Sequence, residues 1–457
     1  MNKEFIRVDD LKAVDNRLFV KFCFSDRIRR CFNGDRLFVT FDQNIEKVTK
    51  SILSIPALSV VVPVAWAVGA DVYLESTDAC FLRSLKNVES IFRKWFPRFS
   101  FSTEIHVDHI VSDASSGKRV ALLFTGGVDS LASYLRHKEQ KPALISIWGV
   151  DIPTCERRYW NLVKGKLQGF ANQEGLDIHF VKTNASELIN GELLDKNFLP
   201  AGFNWCLAVS HGLVLVGAAS PLLTPQFGTL LVASSDCKNI WEPNGSFLFH
   251  HTDVSVGNTK VVYDNYELTR LEKVQSILSC NSRHFSNLIV CSSSARFFAT
   301  PRGPQALNCC VCEKCLRTIT ELALANIDPL RSNFSLRRPE DAFKLIKTRL
   351  NYGVLTSDRS LLRGEWKDMQ NNIVEISDNG KETGNGTQGA REFFEWFKTF
   401  DLDRPVSALG CRHSTFLDLQ FSARYKGSKY AIGFLLWIMM RRIMRSMART
   451  DTLIRAR

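Results

Sequence analysis

The sequence predicts an α/β fold with a doubly wound parallel sheet at its core. Apolar segments of strand length alternate with helical patterns from residue 119 onward. A glycine-containing loop follows the first of these strands and precedes a helix. Strands that are apolar throughout and separated by helices are typical of parallel sheets covered on both faces. The length of 457 residues is enough for two or three domains.

Residues 1–115 predict an N-terminal α/β module. Aromatic and β-branched residues predict strands at 17–24 and 35–41. Apolar residues at helical spacing predict a helix over 80–95, which Pro97 ends. No catalytic motif is visible in this module, so we expect a structural role for it.

Residues 116–335 predict a second α/β domain, which carries a glycine loop and a cluster of cysteines. Its predicted strands are 119–124, 142–148, 177–182 and 229–233, and its predicted helices are 130–137, 156–174 and 205–219. Residues 336–428 predict a mostly helical extension with polar loops. Residues 429–457 form a basic amphipathic tail.

The loop after the first strand of this domain reads Phe124-Thr125-Gly126-Gly127-Val128-Asp129-Ser130. Two glycines let the backbone turn sharply and approach an anion without a Cβ clash. Thr125 and Ser130 add hydroxyl donors, and Asp129 can cap the helix or help to hold Mg²⁺ beside phosphates. The loop lacks both the Gly-Lys-Ser/Thr of a Walker loop and the Gly-x-Gly-x-x-Gly of a Rossmann fingerprint.

The loop has the pattern [Ser/Thr]-Gly-Gly-x-Asp-Ser and lies between a predicted strand and a predicted helix. This arrangement resembles the pyrophosphate loop of the PP-loop ATP pyrophosphatases. Thr125 stands where that family usually has Ser and keeps the hydroxyl. The resemblance implies that residues 116–335 are an ATP-binding domain, that residues 124–130 bind ATP and that Asp129 and Ser130 are catalytic. It also implies cleavage of ATP to AMP and pyrophosphate, with adenylation of a substrate oxygen and displacement of AMP by ammonia or an amine. Trp148 would then line the adenine pocket, and packing in the core is the alternative for this residue.

Four of the thirteen cysteines crowd into residues 309–315. Cys309, Cys312 and Cys315 form two overlapping C-x-x-C steps, a spacing that predicts a thiolate site for Zn²⁺. We expect Cys291 rather than the adjacent Cys310 as the fourth ligand, because neighbouring residues seldom bind one ion well. An iron–sulfur cluster and a redox dithiol are the alternatives. Clustered cysteines and an N-terminus without a signal peptide predict a cytoplasmic protein.

The loop and the cysteines together resemble the 7-cyano-7-deazaguanine synthases of queuosine biosynthesis. The resemblance covers about residues 116–330, and Cys291 lies farther upstream than the spacing of that family. The additions at both ends resemble the enlarged synthase-like proteins found near bacterial antiviral-defence and surface-polysaccharide genes. The family implies adenylation of a carboxylate on a 7-deazaguanine, followed by attack of ammonia or, in some relatives, of a protein amine.

Other candidate substrate-site residues are Asn204, His211, Asp236, Arg270 and Lys273. Asn204 and His211 lie at the start of an apolar helix, where the alternatives are a helix cap and a structural histidine. Asp236 follows a predicted strand of the sheet, and ligands of parallel sheets lie beyond the strand ends. The pair Asp236-Cys237 also resembles an Asp-Cys pair of the synthases.

Arg270 and Lys273 lie at the start of a predicted helix, where Thr269 and Glu272 fit a capping box. Both cations can contact a phosphate or a carboxylate of a ligand. A solvated helix face is the alternative.

The formal net charge of +12 is concentrated at the C-terminus. From Arg424 to the end there are nine Lys or Arg and one acid, so this segment carries +8 of the total. The tail can lie on an anionic membrane surface, dock on a protein partner or fold back on the chain. We do not expect nucleic-acid binding, although a PP-loop RNA-modifying enzyme and a non-catalytic nucleotide-binding scaffold are the alternatives to an enzyme acting on a small carboxylate.

Overall fold

The computed structural model describes residues 3–112, 117–200, 203–280, 282–291, 307–334, 336, 338–351, 353, 355, 360–373 and 388–403. The chain divides into two compact units, Met1–Cys280 and Asn281–Arg457. The predicted basic tail at 429–457 lies outside the described residues. Its membrane or partner role therefore stays a prediction.

The first unit is built on one eleven-stranded sheet. Its strands are β1 Phe5–Val14, β2 Arg17–Phe24, β3 Arg36–Thr40, β4 Asp71–Asp78, β5 Ile105–Val111, β6 Arg119–Leu123, β7 Ala143–Trp148, β8 Ile178–Thr183, β9 Phe227–Ala233, β10 Val254–Val256 and β11 Thr259–Asp264. The strand order is β10-β11-β9-β6-β7-β8-β3-β2-β1-β4-β5. The strands from β11 to β8 are all parallel to one another. The predicted α/β class is therefore confirmed, and the mostly parallel sheet is compatible with a doubly wound fold.

The N-terminal strands join this parallel sheet through β3 and β8. These two strands are antiparallel, with Val39 opposite Thr183 and Thr40 opposite Lys182. Asn184 strengthens the junction, because its Oδ1 accepts from the backbone N–H of Phe38 at 2.9 Å. The predicted N-terminal module and the predicted ATP-binding domain thus share a sheet, while the predicted domain boundaries stay predictions.

Eleven α-helices are described in the first unit. They are α1 Asp26–Arg29, α2 Lys50–Leu53, α3 Ile55–Val68, α4 Ala79–Trp95, α5 Val128–Arg136, α6 Arg157–Glu174, α7 Ala185–Leu188, α8 Gly191–Phe198, α9 His211–Leu223, α10 Leu248–His251 and α11 Arg270–Cys280. A π-helical segment, Cys206–Ser210, precedes α9, and a short 3₁₀ turn covers Lys138–Gln140. The helices predicted at 80–95, 130–137 and 156–174 correspond to α4, α5 and α6.

Helices α3 and α9 pack against each other and are apolar on nearly all sides. Within the described residues, Cys206–Leu223 is one helical stretch long and apolar enough to cross a membrane, and 78% of it is buried inside the protein. Such burial is typical of a core helix. The helix predicted over 205–219 therefore forms part of the hydrophobic core.

The second unit is helical where the structure describes it. Its helices are α12 Glu313–Leu324, α13 Pro339–Asn351, α14 Ser360–Asn371 and α15 Gln388–Lys398, with 3₁₀ turns at Ser282–Asn287 and Pro329–Arg331. Phe343 on α13 stacks on Phe393 of α15 with ring centroids 5.0 Å apart. Arg317 of α12 forms a buried ion pair with Glu365 of α14.

Candidate functional site

The glycine loop connects β6 to α5 at the carboxyl edge of the parallel strands. Gly126 has a φ of +74°, a left-handed conformation that favours glycine. Gly127 is the N-cap of α5, and Leu131 donates its N–H to the Gly127 carbonyl at 2.9 Å. The hydroxyl of Ser130 donates to the same carbonyl at 3.2 Å. The loop thus ends at a helix N-terminus, where N–H groups of the first turn lack intrahelical acceptors and favour an anion.

Two cations of α11 converge on Asp129 at this helix start. Arg270 Nη1 lies 2.6 Å from Asp129 Oδ2, and Lys273 Nζ lies 3.5 Å from Asp129 Oδ1. Lys273 is 1% exposed and also donates to the carbonyl of Ser234 at 2.6 Å. Both side chains are buried rather than solvated. Two buried positive groups therefore contact one carboxylate beside the loop.

The capping box at the start of α11 explains how these cations are held. Thr269 donates its N–H to Glu272 Oε2 at 2.6 Å, and Glu272 donates its N–H to Thr269 Oγ1 at 3.3 Å. These reciprocal bonds confirm the predicted capping box and fix the first turn of the helix. Arg270 and Lys273 lie in that turn, three positions apart and on the same face.

Asp236 lies just beyond the carboxyl end of β9 and is 2% exposed. Its Oδ2 accepts from Tyr263 Oη at 2.7 Å and from Asn244 Nδ2 at 2.8 Å. Its Oδ1 is buried and has no hydrogen-bond partner among the residues that the structure describes. Burial raises the pKa of the Asp236 carboxyl above its ordinary value, although the Asn244 and Tyr263 hydrogen bonds oppose the shift.

Aromatic side chains surround the Asp236 loop. Phe247 stacks on Trp241 at 4.9 Å between ring centroids and lies 6.2 Å from Tyr263. Trp241 is 42% exposed, so one of these rings is open to solvent. An exposed indole near a buried carboxylate suits a flat heterocycle that carries hydrogen-bond donors.

Asn204 and Trp148 have structural contacts in this arrangement. Asn204 is exposed and accepts from the backbone N–H of Leu207 at 3.3 Å, which is the geometry of a helix cap. Trp148 is 8% exposed, stacks on Trp160 at 5.6 Å, and donates its Nε1–H to the Pro153 carbonyl at 3.0 Å. These contacts agree with the alternatives of a cap and a core tryptophan.

His211 begins α9 and contacts two polar side chains from different loops. Its Nδ1 lies 3.0 Å from Ser246 Oγ, and its Nε2 lies 3.0 Å from Asp151 Oδ1. Asp151 lies three positions after the end of β7. Ligands of parallel sheets lie beyond the strand ends, so the rule that made Asp236 a candidate could also have identified Asp151 from the sequence. Tyr263, which donates to Asp236 Oδ2, lies inside an apolar strand and gave no comparable signal in the sequence.

The four predicted metal-binding cysteines come together in the second unit. The Sγ atoms of Cys291, Cys309, Cys312 and Cys315 all lie within 4.8 Å of one another. The Cys309–Cys315 and Cys291–Cys312 separations are 3.8 and 4.0 Å. Tetrahedral bonds of about 2.3 Å place sulfurs about 3.8 Å apart, so the four thiols can hold a metal ion and the geometry is consistent with zinc. Cys310 is outside this group and points its thiol to the Asn308 carbonyl at 3.5 Å.

Helix α12 and buried polar groups shape this cysteine cluster. Cys312 is the N-cap of α12. Asn308 Oδ1 accepts from the N–H groups of Val290 and Cys291, which holds the segment that carries Cys291 beside the motif. Burial raises the pKa of the Cys309 and Cys315 thiols, so a bound metal must displace protons to gain thiolates. Arg349 is 5% exposed and electrostatically coupled to Cys309 and Cys312, which places a positive charge near the sulfurs.

No protein-family model, curated protein or solved structure matches this chain.

Proposed function

We propose that the chain is an ATP-dependent enzyme that forms AMP and pyrophosphate by adenylating a carboxylate of a 7-deazaguanine-like compound. The observation that carries this proposal is the convergence of Arg270 and Lys273 on Asp129 at the glycine loop. An anion at this loop would meet helix N–H groups and two buried cations. These are the groups that a departing pyrophosphate requires, because negative charge accumulates on it in the transition state.

The first reaction is a displacement at the α-phosphate of ATP. A carboxylate oxygen of the substrate forms a bond to that phosphorus, and the bond between the α- and β-phosphates breaks with release of pyrophosphate. Lys273 and Arg270 stabilise the leaving group, and Ser130 and Thr125 supply hydroxyl donors. Asp129 already contacts both cations, so Mg²⁺ would be held mainly by the phosphates, whose charge it neutralises.

The substrate base is proposed to occupy the region of Asp236. A deazaguanine presents adjacent N–H donors, and the buried Asp236 Oδ1 is an acceptor without a protein partner in the described structure. The exposed ring of Trp241 would stack on the flat heterocycle. In a second reaction, ammonia or an amine displaces AMP from the adenylate. Cys291, Cys309, Cys312 and Cys315 would hold a structural zinc ion, and we expect a cytoplasmic protein.

The test is pyrophosphate exchange into ATP in the presence of Mg²⁺ and 7-carboxy-7-deazaguanine. The wild type should incorporate labelled pyrophosphate into ATP. With ammonium present, it should release AMP and pyrophosphate in equal amounts. Lys273→Met should slow exchange by about 100-fold, because it removes a cation from the leaving group. Lys260→Met, at an exposed position of β11, is the matched control and should keep full activity. ADP as the product, or no exchange with this acid, contradicts the proposal.

A further inference from the structure

Asp151, His211 and Ser246 form a hydrogen-bonded series that the adenylation step does not use. Asp151 comes from the loop after β7, His211 from the start of α9, and Ser246 from the loop after β9. Both contacts of the imidazole are 3.0 Å long. Because β6 lies between β7 and β9 in the sheet, the series joins the two loops on either side of the glycine loop.

The chemistry of the partners fixes the direction of the protons. An ionised carboxylate only accepts hydrogen bonds, so His211 Nε2 carries a proton toward Asp151. His211 Nδ1 is then an acceptor, and the Ser246 hydroxyl donates to it. A hydroxyl, a base and a carboxylate that orients the base are the arrangement by which enzymes move a proton away from an oxygen.

The backbone around His211 is built to hold this arrangement. The π-helical segment Cys206–Ser210 directly precedes it, and such segments recur at functional sites. Gly245 donates its N–H to the Leu207 carbonyl of that segment at 2.9 Å. A Cβ atom at Gly212 would lie 2.0 Å from the Gly245 carbonyl oxygen, so the serine loop lies directly against the helix backbone. The position of Ser246 relative to His211 is therefore tightly fixed.

The same loop is not arranged for Ser246 to act as an acyl-accepting nucleophile. The N–H groups of Ser246 and Phe247 both donate to Asn244 Oδ1, at 3.0 and 2.9 Å. They are consequently not available to stabilise an oxyanion beside the hydroxyl. Asn244 also donates to Asp236 Oδ2 at 2.8 Å, which connects the loop to the proposed substrate pocket. Proton transfer fits this geometry better than acyl transfer.

We propose that Ser246, His211 and Asp151 relay a proton from the amine that attacks the adenylate, an inference that rests on the proposed function. The amine nitrogen bonds to the acyl carbon, the bond from that carbon to the AMP oxygen breaks, and AMP leaves with the electron pair. The proton released by nitrogen passes to Ser246 Oγ while the serine proton passes to His211 Nδ1. Asp151 stabilises the imidazolium, which returns the proton to solvent.

The exposure of the side chains to solvent increases from Ser246, where the proton enters the relay, to Asp151 at its other end. Ser246 is largely buried, whereas the side chain of Asp151 is 48% exposed, so the path runs from the interior to solvent. The other ionisable side chains on the elements that meet His211 are Cys206 of the π-helical segment, Asp236, Cys237, Lys238 and Glu242 of the loop after β9, and Cys155 and Glu156 of the loop after β7. Burial raises the pKa of the Cys206 thiol to about 11, so this thiol stays neutral and does not compete for the proton. Ser246 is the catalytic residue, and His211 and Asp151 act through it.

The experiment separates the two half-reactions in the full-length protein. Adenylation is followed by pyrophosphate exchange with 7-carboxy-7-deazaguanine, and transfer is followed by AMP release in single turnovers with ammonium chloride between pH 6 and pH 9. The variants are His211→Asn, Ser246→Ala and Ser246→Thr. The matched control is His179→Asn, because His179 also pairs with a carboxylate, that of Asp42, at 3.3 Å. His179 lies near the amino end of β8, whereas the glycine loop lies at the carboxyl ends of the parallel strands.

We expect His211→Asn and Ser246→Ala to leave exchange within about twofold and to slow transfer by about 100-fold, as loss of general base catalysis does. Ser246→Thr keeps the hydroxyl and should retain most of the transfer rate. The rate deficit of Ser246→Ala should shrink at high pH, where hydroxide can accept the proton that nitrogen releases. His179→Asn should change neither half-reaction.

Three results overturn the relay. Equal losses in exchange and transfer with lowered melting temperature indicate a structural role, and unchanged transfer in Ser246→Ala removes the proton path. If His211→Asn does not fold, the comparison of Ser246→Ala with Ser246→Thr decides, and equal rates in these two contradict the proposal. Absence of exchange in the wild type is a separate outcome that overturns the proposed function and the relay with it.

Discussion

Asp236 and Asp71 are both buried carboxylic acids of the first unit, and their surroundings shift their pKa values in opposite directions. Burial raises the pKa of Asp236, and its neutral hydrogen-bond donors do not compensate. Burial also raises the pKa of Asp71, but the ammonium of Lys3 at 2.7 Å and the N–H of Glu104 at 2.8 Å lower it more, so the net shift is downward. The charged form is therefore disfavoured at Asp236 and favoured at Asp71.

Asp236→Asn should stabilise the protein and abolish exchange. A carboxyl with a raised pKa in the folded state costs stability above its unfolded pKa of about 3.9, and this cost grows until the pH exceeds the folded pKa. Removing the charge should therefore raise the melting temperature more at pH 7.5 than at pH 4.5. Thermal unfolding monitored by circular dichroism at both pH values measures the difference.

Asp71→Asn is the control with the opposite sign. The lowered pKa of Asp71 contributes stability that is present above the unfolded pKa and lost as the pH falls through the folded pKa. This variant should therefore melt below the wild type at pH 7.5, with a smaller deficit at lower pH. A melting temperature of Asp236→Asn below that of the wild type at pH 7.5 would contradict the interpretation that burial disfavours the charged form of Asp236.

Cys312 and Cys310 provide a matched pair for the metal site. Cys312→Ser should reduce bound zinc from about one ion per chain to near zero and lower the melting temperature of the second unit, because structural zinc contributes folding energy. Cys310→Ser should keep the metal, since Cys310 lies outside the group of four thiols. Elemental analysis by mass spectrometry measures both. Stoichiometric iron and sulfide, or metal loss in Cys310→Ser, would contradict this assignment.

At the scale of elements, the sequence predicted the central strands and the site loop well. Strands β2, β3, β6, β7, β8 and β9 are confirmed because apolar or β-branched runs define them. Strands β1 and β4 gave no clear signal: they carry many charged residues, such as Asp9 and Glu75, on their exposed side. Their positions depend on pairing with distant strands, which a local pattern does not encode.

In the candidate site, too, features that depend on nearby residues were predicted and contacts between distant residues were not. The capping box and the C-x-x-C steps depend on residues three positions apart, and both appear in the structure as predicted. The contact of Lys273 with Asp129 and that of His211 with Asp151 join residues far apart in the chain. Such contacts follow from the strand order, so the partners could not be assigned before the sheet was known.

The capping box at the start of helix α11 holds the turn that carries the two cations of the proposed site, so loss of the cap should affect activity. Thr269→Ala should remove one half of the capping box at a cost of about 1 kcal/mol and loosen the turn that carries Arg270 and Lys273. Pyrophosphate exchange should fall several-fold. Ser279→Ala on the same helix is the control, because its hydroxyl donates to the Ser276 carbonyl near the exposed helix end. Equal rates in the two variants would contradict a role of the cap in positioning the cations.

At the scale of the whole molecule, the first unit combines the N-terminal strands and the loop-bearing strands in one sheet. The junction depends on β3 and β8, and α3 packs on α9 with nearly complete burial of its apolar side chains. An N-terminal segment that is shared in this way cannot be removed without exposing a strand edge and part of the core.

A shortened protein that starts at residue 117 should therefore lose cooperative unfolding and become insoluble or aggregate. The exposed edge of β8 and the uncovered face of α9 are the physical reasons. Size-exclusion chromatography and thermal unfolding of this protein beside the full-length chain provide the measurement. A monomeric product that retains pyrophosphate exchange would instead show that the N-terminal segment is dispensable for the fold and the site.

Adenylation of a carboxylate at the glycine loop is tested most directly by the transfer of a substrate oxygen to AMP. The acid is 7-carboxy-7-deazaguanine labelled with heavy oxygen in both carboxylate positions, and the reaction contains ATP, Mg²⁺ and ammonium. We predict that each AMP formed carries one heavy oxygen, detected by mass spectrometry, and that Lys273→Met forms this product about 100-fold more slowly. AMP that carries no label, or ADP in its place, would contradict the account.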